Sequence, residues 1–214
     1  MSSKPTQCVH AGAYHDEEFK GSVTPLFPSS AYDYEGIATQ YPRYFNTANQ
    51  KVVAQKLATL ENAEAGLIFG SGMAAILTSI FAMMKSGDHA VFQNDLYGGT
   101  YHGIANELPR YNMDFSVVDG SNPENFEKAI RKKTKIIYIE TPSNPTLKIT
   151  DIKAVSEIAK RHNLITIIDN TFASPINQNP IDLGIDIVTH SGTKYIGGHS
   201  DLSCGAVLSS SKLI

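Results

Sequence analysis

The sequence predicts an α/β protein: a mainly parallel sheet with helices on both faces, preceded by an irregular N-terminal arm. Three observations carry this. Short runs rich in Ile and Val, such as TKIIYIE and LITIID, alternate with helical patterns along the chain. Those runs are continuously apolar, as strands covered on both faces must be. Gly, Pro, Asn and Asp punctuate the junctions between them.

The elements follow in order. Residues 1–48 are rich in Pro, Tyr, Ser and Thr and show little periodicity. They read as an extended arm that needs a surface to lie against. A second unit, 49–214, follows. NQKVVAQKLATLENA places Val52, Val53, Leu57 and Leu60 at helical spacing. AGLIF is a short buried strand. SGMAAILTSIFAMMKSG reads as an apolar helix closed by Gly87, a good residue for a left-handed cap. HAVFQ is a strand, and GTYHGIANEL a helix stopped near Pro109. DFSVVD is a strand. NPENFEKAIRKK is a helix with Asn122 as N-cap and Pro123 at its first position. TKIIYIE is a strand and DIKAVSEIAKRHN a helix capped by Asp151. LITIID, GIDIVTH and GAVLSS complete the strands.

Composition excludes several classes. The 214 residues are 42% hydrophobic and 18% charged, with a net charge of −3. No block of like charge favours nucleic acid or an anionic membrane as a partner. No apolar run reaches membrane-spanning length. MSSKPTQCVHAG has no apolar core, so no secretory signal is expected. Cys8 and Cys204 form no framework, which points to a reduced, cytoplasmic setting. His10 with His15, and His190 with His199, lack metal-ligand spacing, so no metal is expected.

Parallel sheets place ligands at the carboxyl ends of their strands, which selects the positions to inspect. FGSGMAA follows a strand and opens a helix. Gly70 and Gly72 permit close backbone approach, and the helix N-terminus offers N–H groups to an anion such as phosphate. It is neither a Walker loop nor a dinucleotide fingerprint. Tyr97, before two glycines, can present its ring to a flat ligand or pack at a turn. Asn144, between Pro142 and Pro145, can bind a ligand or close an Asx turn. Asp169 ends an apolar strand, where a carboxylate is costly without a partner. Lys194 lies in SGTKYIGGHS. A partly buried lysine becomes a nucleophile readily. Gly192, Gly197 and Gly198 leave room for a planar ligand, and Ser191 and Thr193 are hydroxyls suited to a phosphate. The set suits a planar, phosphorylated, carbonyl-bearing cofactor with a basic ring nitrogen. Pyridoxal 5′-phosphate fits, with a lysine Schiff base and an acid on the pyridinium. Ser191-Gly-Thr-Lys194 also spells S-x-x-K, the acylating motif of penicillin-binding enzymes. That reading needs a helix start, S-D-N and K-T-G, and the chain has Ser200-Asp201-Leu202 and no K-T-G.

The same residues carry a family resemblance. The stretch Ser191-Gly-Thr-Lys-Tyr-Ile-Gly-Gly-His199, joined to Asp169-Asn-Thr-Phe172, resembles the transsulfuration (Cys/Met metabolism) family of fold type I pyridoxal-phosphate enzymes. The likeness runs from VHAG at 9–12 to the end of the chain. It implies elimination or γ-replacement on sulfur amino acids or O-acylhomoserine, of the cystathionine γ-synthase or γ-lyase type. Methionine γ-lyase, cystathionine β-lyase and O-acetylhomoserine sulfhydrylase are the alternatives. It implies that Lys194 carries the cofactor covalently and moves protons, and that Tyr97, also catalytic, stacks on its ring. Asp169 would pair with the pyridinium nitrogen. Gly72 and Met73 would offer N–H groups, and Ser191 and Thr193 hydroxyls, to the phosphate. Asn144 would lie near the phenolic oxygen. Tyr41 and Arg43 match the Tyr-x-Arg with which the arm reaches a neighbouring subunit's phosphate site, in a homotetramer built from dimers.

There are departures from the pattern. Pro42 replaces Ser or Thr, Asn46-Thr47-Ala48 replaces Asn-Pro-Thr, and Gly192 replaces Ala. His199-Ser200-Asp201-Leu202 replaces His-Gly-Asp-Val. Tyr97-Gly98-Gly99 lacks the cysteine typical of methionine γ-lyases. Family members run nearly twice as long. Their C-terminal domain, with the arginine for the substrate carboxylate, is expected outside these 214 residues. By themselves the 214 residues are expected to bind cofactor at most, without turnover.

Overall fold

The computed structural model describes residues 3–33 and 40–214. Residues 1–2 and 34–39 of the expected arm lie outside the described residues. The strands are β1 (Ala65–Phe69), β2 (His89–Gln93), β3 (Asp114–Val118), β4 (Thr134–Glu140), β5 (Ile165–Asp169), β6 (Ile187–Ser191) and β7 (Gly205–Ser209). They form one seven-stranded sheet in the order β1-β7-β6-β5-β4-β2-β3. β3, β2, β4, β5 and β6 pair in parallel, while β7 runs antiparallel to both β6 and β1. The sheet is therefore mainly parallel, as its apolar runs require.

The helices are α1 (Lys4–His10), α2 (Ala48–Leu60), α3 (Gly72–Ala82), α4 (Gly98–Glu107), α5 (Glu124–Ala129), α6 (Ile152–Arg161) and α7 (Ser174–Asn177). Successive strand residues point to opposite faces, and both faces are filled. On one, Ile76, Ile80 and Ile104 of α3 and α4 pack on Phe92, Ile136, Tyr138 and Ile167. On the other, Leu57, Phe126, Val155 and Ile158 of α2, α5 and α6 pack on Val91, Ile137, Ile139 and Ile168. Each such side chain, fully buried, contributes about 1.5–3 kcal/mol.

Several boundaries differ from expectation. The arm contains α1, which lacks an apolar stripe and is tied to α2 by polar contacts. Lys56 Nζ donates to the carbonyls of Cys8 (3.1 Å) and Val9 (2.9 Å), and Lys4 Nζ to that of Leu60. A 3₁₀ turn, Pro42–Tyr44, leads to α2. α3 ends at Ala82, before Gly87. The apolar run continues because Met84 tucks into the core, 7% exposed. Gly87 instead takes φ +86° in the turn before β2. α4 ends at Glu107, near Pro109 as expected, and Pro109 sits in the 3₁₀ turn Leu108–Tyr111 that follows. α5 stops at Ala129, short of the basic run Arg131-Lys132-Lys133. Asn122 Oδ1 does accept the N–H of Glu124 at 3.0 Å, and Asp151 Oδ1 that of Ala154 at 3.0 Å. Ser191 ends a strand, not a helix start, which removes the acyl-enzyme reading of S-x-x-K.

Candidate active site

The carboxyl ends of β1, β4, β5 and β6 open on one cavity of about 580 Å³. Eight of the ten residues singled out in the sequence line it: Gly72, Met73, Tyr97, Asn144, Asp169, Ser191, Thr193 and Lys194. Tyr41 and Arg43 do not. They lie in the arm, where Arg43 Nη1 donates to the Tyr41 hydroxyl at 2.9 Å.

One end of the cavity is the start of α3. Ser71 caps that helix, its Oγ accepting the N–H of Ala74 at 3.1 Å. The N–H groups of Gly72 and Met73 take no acceptor among the described residues, as expected for a first helical turn. Glycine at 72 is a packing requirement. A Cβ there would meet the Cβ of Ser191 at 2.5 Å. Side-chain absence thus brings the helix start against the Ser191 hydroxyl. Gly70, by contrast, has nothing within 4 Å of a Cβ, so no close approach depends on it. Thr193 is less available than expected. Its Oγ1 donates to the carbonyl of Cys204 at 3.3 Å and accepts that residue's N–H at 3.1 Å.

Asp169 is 6% exposed at the end of β5. Its Oδ1 accepts the N–H of Thr171 at 3.0 Å and the Thr171 hydroxyl at 2.5 Å. The same hydroxyl accepts the N–H of Ser191 at 2.7 Å, tying the ends of β5 and β6 together. Oδ2 has no hydrogen-bond donor among the described residues. Burial pushes the Asp169 carboxyl up, against the Thr171 bonds and the charges of His190 and Lys194. Behind it, His190 Nε2 and Glu61 Oε1 are 2.6 Å apart and fully enclosed.

Lys194 is exposed at the cavity wall rather than partly buried. The small residues around it build the turn that carries it. Gly197 N–H reaches the carbonyl of Gly192 at 2.8 Å, and Gly198 N–H that of Lys194 at 2.7 Å. A Cβ at Gly197 would meet the Gly192 carbonyl oxygen at 2.9 Å. Among the three glycines, only Gly198 also lines the cavity.

Glu140 was not singled out in the sequence. It ends β4 and is the register partner of Asp169 across the parallel pair. Its carboxyl accepts the N–H groups of Tyr97 (2.8 Å) and Asn144 (2.9 Å). Burial, then repulsion from Asp169, pushes this carboxyl up to about 7. The signal was available: like Asp169, Glu140 is an acid terminating a continuous apolar run.

The sequence matches the family described as Cys/Met metabolism PLP-dependent enzyme over residues 5–214. It is 46% identical over 213 residues to the cystathionine gamma-lyase of Bacillus subtilis (strain 168), covering 98% of this chain and 56% of that protein. It is 40% identical over 217 residues to the cystathionine beta-lyase MetC of Staphylococcus haemolyticus (strain JCSC1435), covering 98% of this chain and 54% of that protein. The crystal structure of metB from Corynebacterium glutamicum superimposes with a TM-score of 0.94 at 38% identity, over 99% of this chain and 56% of that one. The cystathionine gamma-lyase from Lactobacillus plantarum complexed with L-serine gives 0.92 at 41%, again over 99% and 56%. The chain spans about half the length of the relatives it matches.

Proposed function

The chain belongs to the Cys/Met metabolism PLP-dependent enzymes, and on that premise we propose that its cavity holds pyridoxal 5′-phosphate for transsulfuration chemistry. The reaction is of the cystathionine γ-synthase or γ-lyase type, acting on sulfur amino acids or O-acylhomoserine. One observation carries this: a buried carboxylate, Asp169, and an accessible lysine, Lys194, line the same cavity. A carboxylate so buried needs a cation, and Oδ2 is uncommitted. A protonated ring nitrogen meets that need, and the uncommitted N–H groups of the α3 start with the Ser191 hydroxyl meet that of a phosphate. The group fits.

When bound, pyridoxal phosphate supplies an electron sink for the carbanion left by α-proton loss. The chain supplies the rest. Lys194 Nζ is the covalent anchor and, once released, the amine that takes and returns protons. Asp169 holds a proton on the ring nitrogen by staying ionised opposite it. Gly72, Met73 and Ser191 would hold the phosphate, joined by the Thr193 hydroxyl if its 3.3 Å bond to Cys204 opens. Tyr97 would stack on the ring, and Asn144 would stand by the phenolic oxygen. The L-serine in a relative's structure supports an amino acid as substrate.

The arm completes the reading. Tyr41 and Arg43 serve the phosphate of a neighbouring subunit, in a homotetramer of dimers. Two free cysteines, Cys8 and Cys204, suit a cytoplasmic setting. Among the described residues no helix is long and apolar enough to cross a membrane.

Borohydride reduction tests the assignment. It is expected to fix a pyridoxyl group on Lys194; a labelled peptide mapping to another lysine overturns it. Product profiles on cystathionine, and on O-acylhomoserine with cysteine, separate lyase from synthase.

A further inference from the structure

We propose that Glu140 is a positioning residue that clamps the Tyr97 loop to the Asn144 loop and so sets the width of the cavity. The inference rests on the reading of that cavity as the cofactor site. Both oxygens of one carboxyl are committed, Oε2 to the N–H of Tyr97 at 2.8 Å and Oε1 to that of Asn144 at 2.9 Å. Neither N–H has another acceptor among the described residues. Tyr97 opens α4, whereas Asn144 follows β4, so the carboxyl joins two separate segments.

The side-chain type is decisive. Only a carboxyl accepts at both ends. A glutamine of the same shape would turn an NH₂ group, a donor, toward one of the two N–H donors. The clamp is itself anchored. Gln93 Oε1 accepts the N–H of Glu140 at 3.0 Å, and Gln93 Nε2 donates to the carbonyls of Glu140 (2.7 Å) and Asp95 (2.6 Å). Glu140 is 4% exposed, so these bonds are shielded from water. Its register partner makes the contrast. Asp169 keeps one oxygen for the cavity, while Glu140 keeps none. Burial and then Asp169 push the Glu140 carboxyl up, and the Tyr97 and Asn144 N–H bonds pull the other way, as bonds to its charged form must.

The test is amide hydrogen exchange in the cofactor-free protein, parent against Glu140→Gln. The parent is expected to protect both the Tyr97 and the Asn144 amides. Glu140→Gln is expected to retain one and to speed the other roughly tenfold or more, the scale of one unsatisfied buried group. Pyridoxal phosphate is then expected to bind the variant several-fold more weakly, with a smaller visible circular dichroism band and kcat reduced more than KM. Parent-like exchange at both amides in a folded Glu140→Gln protein overturns the clamp. So does faster exchange with an unchanged cofactor band and affinity. If Glu140→Gln does not fold, Glu140→Asp keeps two acceptors withdrawn by one methylene. Both amides should then exchange faster, and full protection in that variant overturns the proposal. Borohydride labelling of the parent is read separately. If Lys194 is not labelled there, the cofactor reading fails, and with it the claim that the clamp shapes a cofactor site, whatever the amides do.

Discussion

In β4 and β5, Ile136, Ile137, Ile139, Ile167 and Ile168 are each 0% exposed. In the arm, Val9, Phe19, Val23 and Leu26 are 64%, 80%, 75% and 87% exposed. α1 buries none of its residues and is held by lysine bonds to carbonyls. The α/β body closes its own core, whereas the arm leaves apolar side chains in water. Those side chains gain roughly 25 cal/mol per Å² on being covered, so a second surface is what the arm lacks. The body can be broken by cutting its core or emptying its cavity; the arm should respond only where another copy is involved.

The largest effect is expected at the cavity. In the full-length protein, Lys194→Ala should reduce turnover to the assay floor, while thermal unfolding of the cofactor-free form stays parent-like, since the side chain is exposed. Mixing it with Arg43→Ala protein sharpens the comparison. Hybrid dimers would hold one site with neither lesion, so activity should return; hybrids that form without activity would return the arm to its own subunit.

Core truncation comes next. Ile137→Ala should lower stability by about 2–5 kcal/mol, the range for buried large-to-small changes, read as the shift in denaturant midpoint.

The buried carboxyl at Glu140 gives a pH dependence of similar order. Its folded value is raised, from 4.5 to about 7, so the folded state binds the proton more tightly. Stability should therefore be highest at and below the unfolded value and should fall as pH rises from about 4.5 to about 7. A loss on the order of a few kcal/mol across that window follows. Comparing cofactor-free parent with Glu140→Gln isolates it, because the variant should lack that part of the slope.

Asp169→Asn should keep most cofactor and lose roughly tenfold to a hundredfold in kcat, since a hydrogen bond to a charged group is worth about 1.5–3 kcal/mol. Near-normal turnover would count against its role. The smallest effect is expected at Leu26→Ser. Unfolding of the single chain should change by less than about 0.5 kcal/mol. Size-exclusion chromatography of the variant should show weaker self-association than the parent.

The strands were legible because most are short, largely apolar runs, which a sheet covered on both faces demands. Asp169 was legible because it ends such a run, and Lys194 because it sits among small residues just past a strand end. Glu140 also ends one, but its partner Tyr97 meets it only once β2 lies beside β4. Nothing local in IETPSNP announces that pairing. The glycines near Lys194 were visible, yet their purpose was not, since backbone bonds such as Gly197 to Gly192 leave no trace in residue type. α1 was missed because KPTQCVH has no apolar face. The end of α3 was missed because Met84 continues the apolar pattern as core filling, outside the helix. The arm's destination rests on Tyr41 and Arg43, whose proposed partner is another chain.

The reversal of β7 has a consequence for how the molecule is made. All five pairings of β1 are with β7, from Ala65 with Ser209 to Phe69 with Gly205. Of these seven strands, β1 is the first to leave the ribosome and β7 the seventh. Contacts so distant in sequence are slow to form, and at roughly 5–20 residues per second β1 waits on the order of ten seconds for its neighbour. The corner after it waits too. A Cβ at Gly205 would meet the Ser71 carbonyl oxygen at 2.0 Å, and one at Gly72 would meet Ser191. The α3 end of the cavity, encoded early in the message, is thus finished only when β7 has been translated.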